Sequence, residues 1–394
     1  MYTLNWGELT PETFLKEYWQ KKPLLIKNAF SLFKDPISAD ELAGLAMEQE
    51  IESRIIAQTI NDKNTSNNQN MPNKSWQVEH GPFESFDQLA ATGWTLLVQA
   101  VNNYSRQTQA LITPFNFIPH WRIDDVMVSF STPEGGVGSH LDQYDVFIIQ
   151  GEGKRRWQVG APDSSLQSLL PHPDLKQVSA FNAIIDEITE PGDLLYIPPN
   201  HPHNGISIDN SLNYSIGFQA PNNQELWSAF ADKLLDDDIA TKRFGDRDRT
   251  ATLSPELLTD TDITKLATFM HSALDDKTVF NRFIGGFLTQ SHHALELLIP
   301  VDPIDEAQLA GIFSEKDIDF KPVSGIKALM VNEPTPLLFI NGDVFPIENN
   351  SELAQHLAKG NITSTTDMQT FMNNNNENKQ LLLAILNKGF WYIE

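Results

Sequence analysis

The sequence predicts an α+β protein in which a β-barrel or jelly-roll core is flanked by helical segments. Three observations carry this. Between residues 76 and 220, short apolar and β-branched runs alternate with Gly and Pro turns. Ahead of that region, and again from about residue 222, helix signals and helical apolar spacing take over. With 40% hydrophobic residues and 21 Gly, the composition is that of an ordinary globular chain, neither disordered nor fibrous.

Residues 1–60 read mainly as helix. Thr10 can cap a helix with Pro11 at its first position, and Ser38-Ala39-Asp40-Glu41 is a capping box followed by Leu42 and Leu45. Between them, residues 23–27 read as a short strand. Residues 61–75 are Asn-rich without an apolar pattern and read as a solvated loop.

Strands are expected at 126–130, 146–150, 156–159, 184–185, 194–197 and 214–218, with Gly151-Glu152-Gly153 as a hairpin signal between the second and third. After 222, Leu226, Phe230, Leu234 and Leu235 mark one helical face, and Leu266, Phe269, Met270 and Ala273 a second. Phe280, Phe283, Ile284, Phe287 and Leu288 form a third stripe, suited to core packing or to a dimer interface. Residues 301–394 mix a helix, strands near 327–331 and 337–340, and helices near 351–358 and 379–387, with an Asn run at 373–376 between those last two.

Charge and composition narrow the function. Lys and Arg number 28 and Asp and Glu 52, so the net charge is −24. Such a surface repels polyanions and attracts basic partners, which disfavours direct nucleic-acid binding. No apolar stretch is long enough to span a bilayer, and the first residues lack the pattern of a signal peptide, so a cytoplasmic protein with no membrane association is expected. With no cysteine, disulfides and thiolate chemistry are excluded; a metal must be held by His, Asp or Glu.

The richest stretch is Gly135-Gly136-Val137-Gly138-Ser139-His140-Leu141-Asp142-Gln143-Tyr144-Asp145, set between two expected strands. Two residues apart on an extended chain, His140 and Asp142 project to the same face and can share one ion. A His-x-Asp pair alone is common, so a third ligand from a distant strand is needed. The stretch Pro191-Gly192-Asp193 to His203-Asn204-Gly205 offers one: a turn, an apolar strand, then a Pro-rich turn carrying His201 and His203. Two His and one carboxylate on one face of Fe(II) leave positions open for co-substrates, the arrangement of non-haem iron oxygenases. His80, His120, His172, His271, His292, His293 and His356 fall outside this pattern and are expected in surface or packing roles.

A 2-oxo acid that chelates the iron brings a second carboxylate, which calls for a buried cation. Lys154-Arg155-Arg156 follows the first two ligands, and strand parity separates Arg155 from its two neighbours. Arginine suits a bidentate carboxylate contact.

The run His140–Gly151, with Pro191–Asp193 and His203–Gly205, resembles the JmjC-type, cupin-like 2-oxoglutarate oxygenases. Within them it is similar to the bacterial ribosomal oxygenases that hydroxylate an arginine of a large-subunit (50S) ribosomal protein. Residues 35–38, 77–84, 121–125 and 389–392 extend the likeness over most of the chain. The resemblance implies a double-stranded β-helix (residues 1–220, with N-terminal helices), a helical dimerisation region (221–299) and a small winged-helix-like domain (300–394). It implies that His140, Asp142 and His203 bind Fe(II), that Arg155 holds the distal carboxylate of 2-oxoglutarate with Ser131 nearby, and that Asp125, Met127, Tyr144 and Ser215 line the pocket for the substrate arginine. The implied activity is that of a 2-oxoglutarate-dependent dioxygenase using O2, a protein arginine 3-hydroxylase working as a homodimer on a basic ribosomal protein. One departure stands out: Asn200 occupies a turn position where cupins often carry Gly, and Asn tolerates positive φ better than most residues. Hydroxylation of histidine, demethylation of lysine, a small-molecule substrate and a non-catalytic cupin-like binding module are the competing readings.

Overall fold

A computed structural model describes residues 2–61, 73–315, 318–332, 334–348, 351–372 and 375–394. The chain forms two compact units, one of residues 1–220 with 292–296, the other of 221–291 with 297–394.

The first unit opens with α1 (Pro11–Glu17), capped by Thr10 and starting on Pro11, β1 (Leu24–Ile26), and α2 (Ala39–Leu45) behind the Ser38/Glu41 capping box. Strands β2 (Ser53–Asn61), β3 (Asn73–His80) and β4 (Trp94–Val98) follow, then the short helix α3 (Arg106–Gln109). The core strands are β5 (Ile123–Ser131), β6 (Asp145–Gln150), β7 (Arg155–Gly160), β8 (Ser168–His172), β9 (Leu175–Val178), β10 (Ala183–Thr189), β11 (Leu194–Ile197), β12 (His203–Ser207) and β13 (Ser211–Phe218).

Eight strands form one antiparallel sheet in the order β1-β11-β6-β13-β5-β4-β2-β3. Three more, β10-β7-β12, form a second sheet, and β8 with β9 makes a separate hairpin. Two-residue periodicity explains how the large sheet serves two cores. On β6, Phe147 and Ile149 point into a cluster with Phe14, Leu42, Phe115 and Phe218. Val146 and Ile148 point the other way and pack with Trp157 and Val159 of the smaller sheet. Every β6 residue is therefore buried, which accounts for its continuous apolar run.

Three sequence expectations change here. Residues 53–60, expected within a mainly helical stretch, belong to β2, as does residue 61 of the expected loop, and residues 73–75 of that loop belong to β3; residues 62–72 lie outside the described ones. The large sheet extends past the barrel core, where β4 supplies a partner for β2 that local periodicity does not reveal. Gly151-Glu152-Gly153 does not close a hairpin, because β6 pairs with β11 and β13 while β7 pairs with β10 and β12. The glycines carry the chain from one sheet to the other at close quarters: Gly153 has φ +75°, and a Cβ on it would meet the Asn210 carbonyl at 2.0 Å.

The second unit begins with α4 (Asn223–Asp236), α5 (Asp260–Asp275) and α6 (Lys277–Thr289). Phe230 and Phe283 are buried against each other, whereas α5 buries none of its residues in this chain. Then come α7 (Glu306–Ile312), β14 (Asp319–Pro322), β15 (Ala328–Val331), β16 (Leu337–Ile340), β17 (Asp343–Pro346), α8 (Glu352–Lys359), β18 (Thr363–Ser364), α9 (Thr365–Met372), α10 (Asn376–Asn387) and β19 (Trp391–Ile393). A core of Leu338, Leu353, Leu382, Ile385 and Trp391 holds this part together. The structure adds α9 between the two expected helices; of the Asn run, Asn375 caps α10 and Asn376 opens it, while residues 373–374 lie outside the described ones. Among the described residues, no helix is long and apolar enough to cross a membrane.

Candidate active site

The space between the two sheets holds a cavity of about 440 Å³. His140 reaches it from the Gly-rich loop after β5, Asp142 from just before β6, and His203 from the first residue of β12. The two histidines are joined backbone to backbone. Each N–H donates to the other's carbonyl at 3.0 Å, an antiparallel bridge outside the named strands. The Asn200 N–H donates to the Asp142 carbonyl at 2.7 Å, which ties the Pro-rich turn to the His-x-Asp segment. Asn200 has φ +61°, the conformation that glycine often supplies.

The side chains are set for metal binding. Each histidine Nδ1 lies against a carbonyl, Gly138 at 2.9 Å for His140 and His201 at 3.0 Å for His203. A carbonyl only accepts, so each Nδ1 carries the proton and leaves the Nε2 lone pair outward. The Nε2 atoms lie 3.8 and 3.4 Å from Asp142 Oδ2. One ligand atom from each of the three residues falls within 4.8 Å of the others. Burial pushes His140 down to about 4, so it is neutral at physiological pH. Burial works against the Asp142 carboxylate, yet with the imidazoles of His203 and His140 beside it, it is brought down to about 2. Two imidazoles and one carboxylate make a donor set that fits a divalent transition metal with open positions.

Arg155 opens β7 and reaches the same cavity. As parity requires, it is 5% exposed, while its neighbours face solvent: Lys154 pairs with Glu190 at 2.5 Å and Arg156 with Asp186 at 2.6 Å. Its Nη2 donates to Ser131 Oγ and, at 3.4 Å, to Ser211 Oγ. Ser131 is tied in turn to Thr95 Oγ1 at 2.8 Å. No carboxylate pairs with this guanidinium among the described residues, its Nε is buried without a partner, and burial pushes it down to about 9. A buried, charged fork in these conditions calls for an anion.

Beside this cavity lies a recess of about 230 Å³. Met127, Tyr144, Val146 and Ser215 line both spaces. Asp125 lines only the recess, with Glu52, Asp124 and His293. Asp125 Oδ2 accepts from the Ala100 N–H at 2.8 Å and lies 3.8 Å from His293 Nε2, while Asp124 Oδ1 lies 3.2 Å from His292 Nδ1. The recess is acidic and the cavity holds the cations, so neighbouring spaces present opposite charge.

Of the nine residues expected at the site, eight line these two adjoining spaces, and the ninth, Ser131, accepts a hydrogen bond from Arg155. Sequence reasoning missed Arg54, Glu52, Asp124 and Thr95, which lie on strands or strand ends it did not expect or did not connect to the site. It also set aside His293, which lies on the 292–296 segment of the first unit and lines the acidic recess.

The sequence matches the JmjC domain over residues 110–226 and the ROXA-like winged helix over 272–392. It is 40% identical over 392 residues to the ribosomal protein uL16 3-hydroxylase of Escherichia coli (strain K12), covering 100% of this chain and 98% of that protein. The chain belongs to the JmjC-domain ribosomal oxygenases. A probable ribosomal oxygenase of Haemophilus influenzae is 29% identical over 365 residues, covering 89% of this chain and 86% of that protein. Among solved structures, a ribosomal oxygenase from Escherichia coli in complex with cobalt and 2-oxoglutarate superposes with a TM-score of 0.86 at 38% identity, covering 100% of both chains. These matches place the double-stranded β-helix and the winged helix in one JmjC chain, as the resemblance implied.

Proposed function

We propose that this chain is an Fe(II)- and 2-oxoglutarate-dependent oxygenase that hydroxylates an arginine side-chain carbon of the large-subunit ribosomal protein uL16. The observation that carries the reading is the pairing of two spaces across one wall: a cavity with a metal donor set and an uncompensated guanidinium, and an acidic recess opening beside it. Its relation to the Escherichia coli uL16 3-hydroxylase along the whole chain supports the same substrate.

His140, Asp142 and His203 would hold Fe(II), and Arg155 with Ser131 would take the distal carboxylate of 2-oxoglutarate. Bound iron with 2-oxoglutarate supplies oxidation by O2, in which the oxo acid leaves as succinate and CO2 and a substrate C–H becomes C–OH. The chain's own task is placement. Asp125 pairs with the substrate guanidinium in the recess, and Met127, Tyr144 and Ser215 form the wall that presents its carbon chain to the cavity. Val146, Ile148 and Trp157 keep that wall apolar and exclude water.

The division into a catalytic part (1–220), a helical dimerisation region (221–299) and a winged-helix part (300–394) belongs to this reading. Leu266 and Met270 of α5 are 39% and 65% exposed, an apolar face suited to a second copy of the chain. The net charge of −24 favours encounter with a basic ribosomal protein in the cytoplasm and disfavours nucleic acid.

The test is incubation of the protein with Fe(II), 2-oxoglutarate and purified ribosomal proteins, followed by peptide mass spectrometry. One added oxygen on a uL16 arginine is expected. Modification confined to histidine, or loss of methyl groups from lysine, would replace this reading with that of a related hydroxylase or demethylase.

A further inference from the structure

Among the described residues, three buried side-chain donors lining the active-site cavity have no hydrogen-bond partner: Nε of Arg155, Nε1 of Trp157 and Nε of Arg54. The function above uses the first. Arg54 is not yet accounted for. It is the second residue of β2, registered opposite Leu97 of β4 on one side and His80 of β3 on the other.

Glu52, two positions earlier, lines the acidic recess, whereas Arg54 lines the cavity that holds the metal donor set. The two do not pair, and no carboxylate lies within ion-pair distance of Arg54 among the described residues. That is unexpected in a chain with 52 acidic residues. A guanidinium with a buried, unsatisfied N–H is costly unless an acceptor arrives with a ligand. Two such guanidiniums in one cavity, with metal-binding residues in the same lining, match a ligand carrying a carboxylate at each end.

We propose that Arg54 is a second carboxylate-recognition residue of this cavity, taking the co-substrate carboxylate nearer the metal ligands while Arg155 takes the distal one. The proposal rests on the oxygenase reading and adds a specificity residue to it. A carboxylate of the substrate protein is the other source of the same chemistry, and the experiment separates the two.

The full chain, loaded with Co(II) under nitrogen, is titrated calorimetrically with 2-oxoglutarate, with 2-oxoglutaramate, whose distal carboxylate is an amide, and with purified uL16. Thermal melting checks that each variant is folded. Arg54→Gln is expected to weaken 2-oxoglutarate roughly tenfold or more, as for loss of a hydrogen bond to a charged group, and Arg54→Lys to recover part of the loss. With 2-oxoglutaramate, sensitivity to Arg54→Gln should persist while sensitivity to Arg155→Gln disappears. Unchanged 2-oxoglutarate affinity in folded Arg54→Gln overturns the proposal, and a loss seen only with uL16 overturns it in favour of the substrate source. If wild-type protein binds no 2-oxoglutarate, the oxygenase reading falls as well; if it binds and only Arg155→Gln weakens it, that reading stands and the Arg54 assignment alone fails.

Discussion

His203 Nε2 stands 3.4 Å from Asp142 Oδ2, although the two residues are separated along the chain by six strands, β6 to β11. The carboxylate lies closer to this imidazole than to that of His140, its neighbour in sequence, at 3.8 Å. Replacement of any of His140, Asp142 or His203 by Ala is expected to abolish both Co(II) binding, followed by absorption spectroscopy, and hydroxylation, followed by mass spectrometry. Turnover retained by a folded variant would remove that residue from the ligand set.

Arg155→Ala should chiefly raise the 2-oxoglutarate requirement. A charge-assisted contact contributes about 1.5–3 kcal/mol, roughly a ten- to hundredfold rise in KM. Steady-state kinetics at saturating protein substrate measure it. An unchanged KM would move the role to Lys154 or Arg156, both of which are exposed and already paired.

Asp125→Asn keeps an acceptor for the Ala100 N–H but removes the charge facing the recess. The KM for the arginine-bearing substrate is expected to rise by a similar factor of about ten to a hundred, with 2-oxoglutarate affinity unaltered. Equal loss for both ligands would mean that Asp125 supports the cavity as a whole rather than the substrate cation.

Asp35 gives a pH prediction away from the metal ligands. Burial raises its pKa, against the opposing hydrogen bonds from the Tyr214 hydroxyl at 2.8 Å and the Glu152 N–H at 3.2 Å. A carboxyl raised in the folded state binds its proton more tightly there, so its contribution is full at acid pH and is lost as pH rises through the raised value. The Tm difference between wild type and Asp35→Asn should therefore move in favour of the variant as pH climbs across the carboxylate range. A difference independent of pH would contradict the assigned direction.

Sedimentation at micromolar concentration should give a dimer, and Leu266→Glu with Met270→Glu should shift it toward monomer without lowering the far-ultraviolet helix signal. A wild-type monomer would leave the exposed face of α5 without its assigned partner.

What the sequence determined by itself is everything that a two-residue or 3.6-residue period can carry. His140 and Asp142 share a face, Arg155 is buried between exposed Lys154 and Arg156, Val146 to Ile149 of β6 form an unbroken apolar run, and the Ser38/Glu41 capping box starts α2. Each depends on neighbours within a few positions, so the chain states it directly. Tertiary structure alone decided which segments meet: the backbone bridge between His140 and His203, the extension of the large sheet through β4, β2 and β3, the crossing at Gly151–Gly153, and the return of His293 to the acidic recess. Strand pairing and cavity lining are long-range matters, set by the register and packing that bury the most apolar surface with every backbone group paired. A period shows which face a side chain takes, but only the folded sheet shows what stands across from it.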